Sequence, residues 1–366
     1  MHPSSFANLV AVAHRFITVS CSIRLSLLIL LSCLLAPPHA QAAESKLNLL
    51  IWSEYIDPEV VKDFQRAHQC RVVIDLFDED AAMIAKLRNG GSRTYDIVVA
   101  PDHTIPRLRR LGLIRQLGSN ALSSLPLIHP TFRSPSFDPE NRYSMPYLWG
   151  TLCIYARKPA AGQLEPSWGL LFDPAAQPGA FLFSDSMRDV IGAALKYRGK
   201  SLNTTDKKAL LDARDLILAA KRRSRGFEGG VGGKNKVLAR RVSAAMAYSG
   251  DALRGAEEDP ETICILPREG TQIWVDNLVV CSGAPNPGLA ERFITFVSEP
   301  KVAARLANYL HYATPNEAAR PWISPEALAN PSIYPPKEVM DRLEFLQDLG
   351  KDSRLYDEVW SVIRVR

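Results

Sequence analysis

Three apolar runs, at residues 47–51, 71–77 and 95–101, alternate with segments whose apolar positions fall at helical spacing, at 60–68, 81–87 and 105–111. Unbroken apolar runs fit strands covered on both faces, and their alternation with helices predicts a parallel α/β sheet. Asp57-Pro58 offers the first helix a capping carboxylate and a first-turn proline. A Pro- and Ser-rich surface loop is expected over 126–146. The strand expected at 143–155 then crosses into a second lobe. Further strands are expected at 179–183, 243–248, 263–266 and 273–280, and helices at 190–198, 206–223, 290–297 and 301–309, with a helical remainder broken by a turn at 334–336. The stretch Gly229-Gly230-Val231-Gly232-Gly233-Lys234 resembles a phosphate-binding loop. Glu228 stands where that motif needs its first glycine and Asn235 where it needs Ser or Thr, so it reads as a flexible turn.

The amino terminus has a different pattern. Arg15 and Arg24 precede an apolar run at 25–35, Pro37-Pro38 break it, and Ala40-Gln41-Ala42 supplies small residues of the kind a signal peptidase reads. Residues 1–42 are therefore expected to be a cleaved export signal, the run being too short for a permanent membrane anchor. Cys33 fits a lipoprotein acylation site poorly, so a soluble periplasmic protein is the expectation. Export admits disulfides, but Cys70, Cys153, Cys264 and Cys281 are widely spaced without a CxxC pair, and buried thiols are expected.

Composition narrows the picture only slightly. The 366 residues are 46% hydrophobic and 23% charged, with a net charge of +5, which suits a globular protein with two domains and a cleft. No basic run interleaved with aromatics occurs, so nucleic acid is not an expected partner.

The chemistry gathers at strand ends, where open α/β sheets bind ligands. Trp52, Ser53, Glu54 and Tyr55 follow the first strand; Tyr248 and Asp251 follow a later one; Trp274 and Asp276 share one strand face; Tyr312 lies in a loop. Aromatic faces beside carboxylates suit an organic cation with an apolar stem. Each Asp alone reads more readily as a helix cap or turn residue, and paired carboxylates would also serve a glycosidase-like hydrolase. No GxSxG elbow occurs.

Ordered matches at Trp52-Ser53-Glu54-Tyr55, Tyr95-Asp96-Ile97-Val98-Val99, 143–150, 248–251, Trp274-Val275-Asp276, 312–316 and 330–336 give a resemblance over residues 45–365 to the periplasmic polyamine-binding proteins of ABC transporters, which are bacterial extracellular solute-binding proteins. The resemblance implies a two-lobed α/β periplasmic-binding-protein fold of type II with the ligand cleft between the lobes. One lobe would comprise 45–150 plus 276–320, the other 151–275 plus 321–366. It implies no catalysis and no cofactor, a monomer, a polyamine ligand, and inner-membrane permease subunits as partners. Carried over, Trp52, Tyr55, Tyr248, Trp274 and Tyr312 would box a methylene chain and Asp251 and Asp276 would hold ammonium groups. Asp189 and Gln347 would lie at the far end, with Ser53 and Glu54 close by.

The chain departs from that pattern. Ser186 stands where spermidine binders have an acid, Asp189 is a methylene shorter than the usual Glu, His103 stands for a tyrosine and Tyr248 for a tryptophan. Fewer carboxylates favour a diamine such as putrescine or cadaverine over spermidine. Another amine, or a sensing role, remains an alternative, as does the hydrolase. A protonated His103 would repel a cation and weaken binding as pH falls below about 6.5, whereas a neutral His103 would simply pack at the rim.

Overall fold

The computed structural model describes residues 45–365. The export signal expected over 1–42 and the Cys33 site lie outside the described residues.

Ten strands form one connected sheet: β1 (Ser45–Trp52), β2 (Cys70–Phe77), β3 (Ile97–Pro101), β4 (Met145–Arg157), β5 (Phe181–Ser184), β6 (Phe227–Glu228), β7 (Ala244–Tyr248), β8 (Thr262–Ile265), β9 (Gln272–Val280) and β10 (Glu344–Phe345). Their order is β2-β1-β3-β9-β4-β7-β5-β6, with β10 beside β9 and β8 beside β4. The early βαβ alternation produces parallel pairing of β1 with β2 and β3, as the pattern predicts. The sheet as a whole is mixed, because β9 inserts antiparallel to both β3 and β4. Periodicity locates strands but carries no signal for a partner nearly two hundred residues away.

The longest strand, β4, joins two halves. Met145 to Thr151 pairs with β9, and Leu152 to Ala156 pairs with β7. Every residue of β4 but Arg157 is buried, as an apolar strand covered on both faces must be. One set of cores forms around Leu47, Leu49, Phe64, Val98, Leu278 and Phe293, and another around Ile154, Trp168, Phe181, Ile191, Ile217 and Tyr356. Ile333, Tyr334, Met340 and Leu343 pack with the first set.

Local chemistry fixes the elements around the cleft. Asp57 caps the helix Pro58–His68, its Oδ1 accepting from the Glu59 amide at 2.8 Å. The glycine-rich segment expected to be a flexible turn instead starts the short helix Gly232–Leu238. Lys234 in that helix is buried. The carboxyl-terminal region is less helical than expected, with short pieces before the final helix Ser353–Val365. Cys70, Cys153 and Cys281 are buried and Cys264 partly so, with the sulfurs of Cys153 and Cys264 2.9 Å apart. No helix among the described residues is long and apolar enough to cross a membrane.

Candidate functional site

Strand register brings the site together. Pro101 pairs with Asp276, Gly150 with Trp274, and Leu152 with Tyr248. The turn following β3, which carries Asp102 and His103, therefore lies beside the Asp276 carboxylate. These elements line a cleft of about 400 Å³, within the range of small-molecule sites.

Its centre is an aromatic box. Tyr55 meets Tyr312 edge-on with centroids 5.5 Å apart, Trp274 meets Tyr312 at 5.1 Å, and Tyr248 meets Trp274 at 5.8 Å. Edge-to-face packing fixes the ring orientations, and all four rings line the cleft. Gly150 permits it: a Cβ there would stand 2.7 Å from the Trp274 ring and 3.0 Å from that of Tyr312. Tyr147 backs the box, its hydroxyl donating to the Tyr55 carbonyl at 3.2 Å.

Two buried carboxylates flank the box, and neither is in a salt bridge among the described residues. Burial pushes the Asp276 carboxyl well above the usual carboxylate range; the nearby Tyr55 hydroxyl opposes this, and Asp102 and Asp80 add to it. Burial also pushes Asp189 up to about 6, opposed by hydrogen bonds from Tyr248 and Ser184. Tyr248 donates at 3.0 Å and the Ser184 hydroxyl at 3.1 Å. A carboxylate desolvated in this way, without a protein cation, gains most from a cationic ligand.

Asp251 differs. It also lines the cleft, but Arg254 one helical turn on engages its Oδ1. Glu54 turns away from the cleft altogether. Its backbone is left-handed (φ 53°), and its carboxylate meets Lys234 at 2.9 Å and Arg254 at 3.6 Å. Those two cations outweigh desolvation and hold the Glu54 carboxyl below its ordinary value. Arg254 also donates to the Leu310 carbonyl at 2.8 Å. Glu54 is thus a bridge between elements of the two halves and not part of the wall.

His103 is neither neutral nor at the rim. Its Nε2 lies 2.8 Å from Asp80 and its Nδ1 3.3 Å from Asp102, with only 15% of its side chain exposed. Burial disfavours the charged ring, but the two carboxylates outweigh it and raise the imidazole to about 10. It therefore carries its charge throughout the neutral range, and the change expected near 6.5 does not belong to it.

Residues 59–335 match the family model described as Bacterial extracellular solute-binding protein. The chain belongs to this family. This solute-binding protein is 33% identical over 353 residues to a protein of Pseudomonas aeruginosa named putrescine/cadaverine-binding protein, covering 93% of this chain and 99% of the relative. It is 29% identical over 314 residues to the spermidine/putrescine-binding periplasmic protein of Escherichia coli, covering 86% and 90% respectively. Its fold matches the crystal structure of the spermidine/putrescine ABC transporter substrate-binding protein PotD from Streptococcus pneumoniae. The TM-score is 0.75 at 28% identity, over 88% of this chain and 99% of that one. These relatives have the two-lobed periplasmic-binding-protein fold, and so does this chain.

Of the residues singled out in the sequence, Trp52, Ser53, Tyr55, His103, Ser186, Asp189, Tyr248, Asp251, Trp274, Asp276, Tyr312 and Gln347 line the cleft of the solute-binding protein; Glu54 does not. The cleft also takes in Asp78, Glu79, Asp80, Asp185, Asp357 and Trp360, which sequence reasoning passed over. Asp78-Glu79-Asp80 stands just past the end of β2, so the strand-end rule that found Trp52 and Tyr55 could have found it. Nothing local marks Asp357 or Trp360, which reach the cleft from the final helix.

Proposed function

We propose that this solute-binding protein captures a short aliphatic diamine, putrescine or cadaverine, and delivers it to the permease of an ABC transporter without doing chemistry on it. One observation carries the reading: Asp276 and Asp189, buried and unpaired with any protein cation, flank an aromatic box of Tyr55, Tyr248, Trp274 and Tyr312. An ammonium at each carboxylate would relieve its desolvation, while the ring faces cover the methylenes between them. Trp52, Ser53, Ser186 and Gln347 would complete the walls, and Asp251, neutralised by Arg254, would add orientation more than charge. The names of the P. aeruginosa and E. coli relatives support a polyamine ligand, and the latter's supports a periplasmic location. In this reading the two halves are lobes that close on the ligand, the chain acts as a monomer, and residues 1–42 direct its export.

Calorimetric titration of the chain from residue 43 onward with putrescine, cadaverine, spermidine and spermine tests this. Saturable one-to-one binding is expected, tightest for a diamine, with Asp276→Ala weakening it at least a hundredfold. Absence of heat with all four amines, or full binding by the variant, would overturn the reading.

A further inference from the structure

We infer that His103 is a tethered cation that fills the place of an additional ligand ammonium, so that the cleft accepts a diamine and rejects a triamine. This rests on the amine-binding reading of the same site. Both ring nitrogens face carboxylate oxygens, Asp80 Oδ2 at 2.8 Å and Asp102 Oδ1 at 3.3 Å. An ionised carboxylate only accepts, so a ring protonated at both nitrogens satisfies the two contacts together. Asp102 is committed further: its Oδ1 also accepts from the His103 amide at 2.7 Å, and its buried Oδ2 has no partner.

Asp80 comes from the first turn of the helix Asp80–Arg88, which packs in the same core as β3, and like His103 lines the cavity. Its charge acts on both proposed ammonium positions, raising Asp189 and Asp276, while the His103 charge lowers Asp276. Without the ring's charge, Asp80 would face the cavity uncompensated, with Asp102 buried just behind the wall, and a third ammonium would be the natural counterion. With it, the same ammonium would meet an imidazolium fixed against the Asp80 oxygen it needs. The specificity device is therefore a charge supplied by the protein, and Ser186 is only part of the reason for a small ligand.

The test compares putrescine and spermidine calorimetrically on the full mature chain. The wild type is expected to bind putrescine at least tenfold tighter than spermidine. His103→Gln, which removes the charge, is expected to raise the spermidine-to-putrescine affinity ratio at least tenfold. Adding Asp80→Asn to it should return the ratio to within about threefold of wild type. His103→Lys, which keeps a cation, should retain the putrescine preference, and thermal melts establish that each variant folds. A ratio unmoved in a folded His103→Gln overturns the inference and leaves the amine-binding reading standing. If that variant does not fold, loss of the preference in His103→Lys overturns it equally. A wild type preferring spermidine overturns it directly, and a wild type binding neither amine overturns both readings.

Discussion

Asp189 shows how one side chain couples ligand and pH. Its carboxyl is raised to about 6 by burial, against an unfolded value near 3.8. A raised folded value means that the native state holds the proton more tightly than the unfolded chain does. Its contribution to stability is thus fully present below about 3.8 and is lost as pH rises through about 6, a change on the order of 3 kcal/mol. Thermal melts of the ligand-free protein from pH 4 to 7.5 should show the wild type losing stability relative to Asp189→Asn. Binding runs the other way: an ammonium requires the ionised form, so diamine affinity should fall as pH drops below about 6, with protons released on binding. Calorimetry in buffers of different ionisation heat measures that release. The direction is the one expected from the sequence for His103, but the titrating group is different. A histidine clamped by two carboxylates does not change charge in that range. The clamp was invisible in sequence because Asp80 lies 23 residues before His103 and on a separate element.

Among elements, the short helix Gly232–Leu238 carries more than its sequence promised. Four glycines, at 229, 230, 232 and 233, argue for a turn, and local propensity gives no reason to think otherwise. Tertiary burial overrides this: Lys234 is 8% exposed and reaches Glu54, 180 residues earlier, while Arg254 holds both Glu54 and the Leu310 carbonyl. Removing one member of such a pair costs most when the charge left behind is the more buried one. Glu54 is 49% exposed and its loss strands Lys234, so Glu54→Gln should weaken putrescine binding more than Lys234→Met, roughly tenfold against threefold, as calorimetry would read it. The opposite order would mean that stranding the buried Lys234 is not what weakens binding. The strands themselves were easier to read. Uninterrupted apolar runs announced β1, β3, β4 and β9, and their polar ends announced the aromatic box and its carboxylates but only part of the cleft wall. Register was beyond reach, since the pairing of Gly150 with Trp274 depends on where β9 docks and not on either segment alone. That pairing gives a sharp test. Gly150→Ala forces a methyl against Trp274 and Tyr312, and should cost about 1–3 kcal/mol by overpacking while abolishing ligand binding. Denaturant unfolding and titration measure the two effects separately.

For the whole molecule, β4 and β9 make the cleft a property of the assembled sheet. Trp52 and Trp274 both line it, so closure around a diamine should change the intrinsic fluorescence of the protein. A titration curve with the calorimetric midpoint is the expected result, and Trp274→Phe should remove a large share of the signal.

The antiparallel docking of β9 also bears on how the chain comes to be folded at all. β3 has no neighbour on its inner side until Ile97 finds Val280 and Pro101 finds Asp276. Phe64 likewise waits for Phe293, against which its ring packs at 5.0 Å. A polypeptide emerging from the ribosome therefore cannot complete its first core until nearly three hundred residues are out, and the loop to be closed makes that step slow. During that interval β1, β2 and β3 can pair only with one another, and the inner edge of β3 stays open. A protein whose first half folded promptly on its own would lose that interval; here the order of the strands builds the delay into the fold.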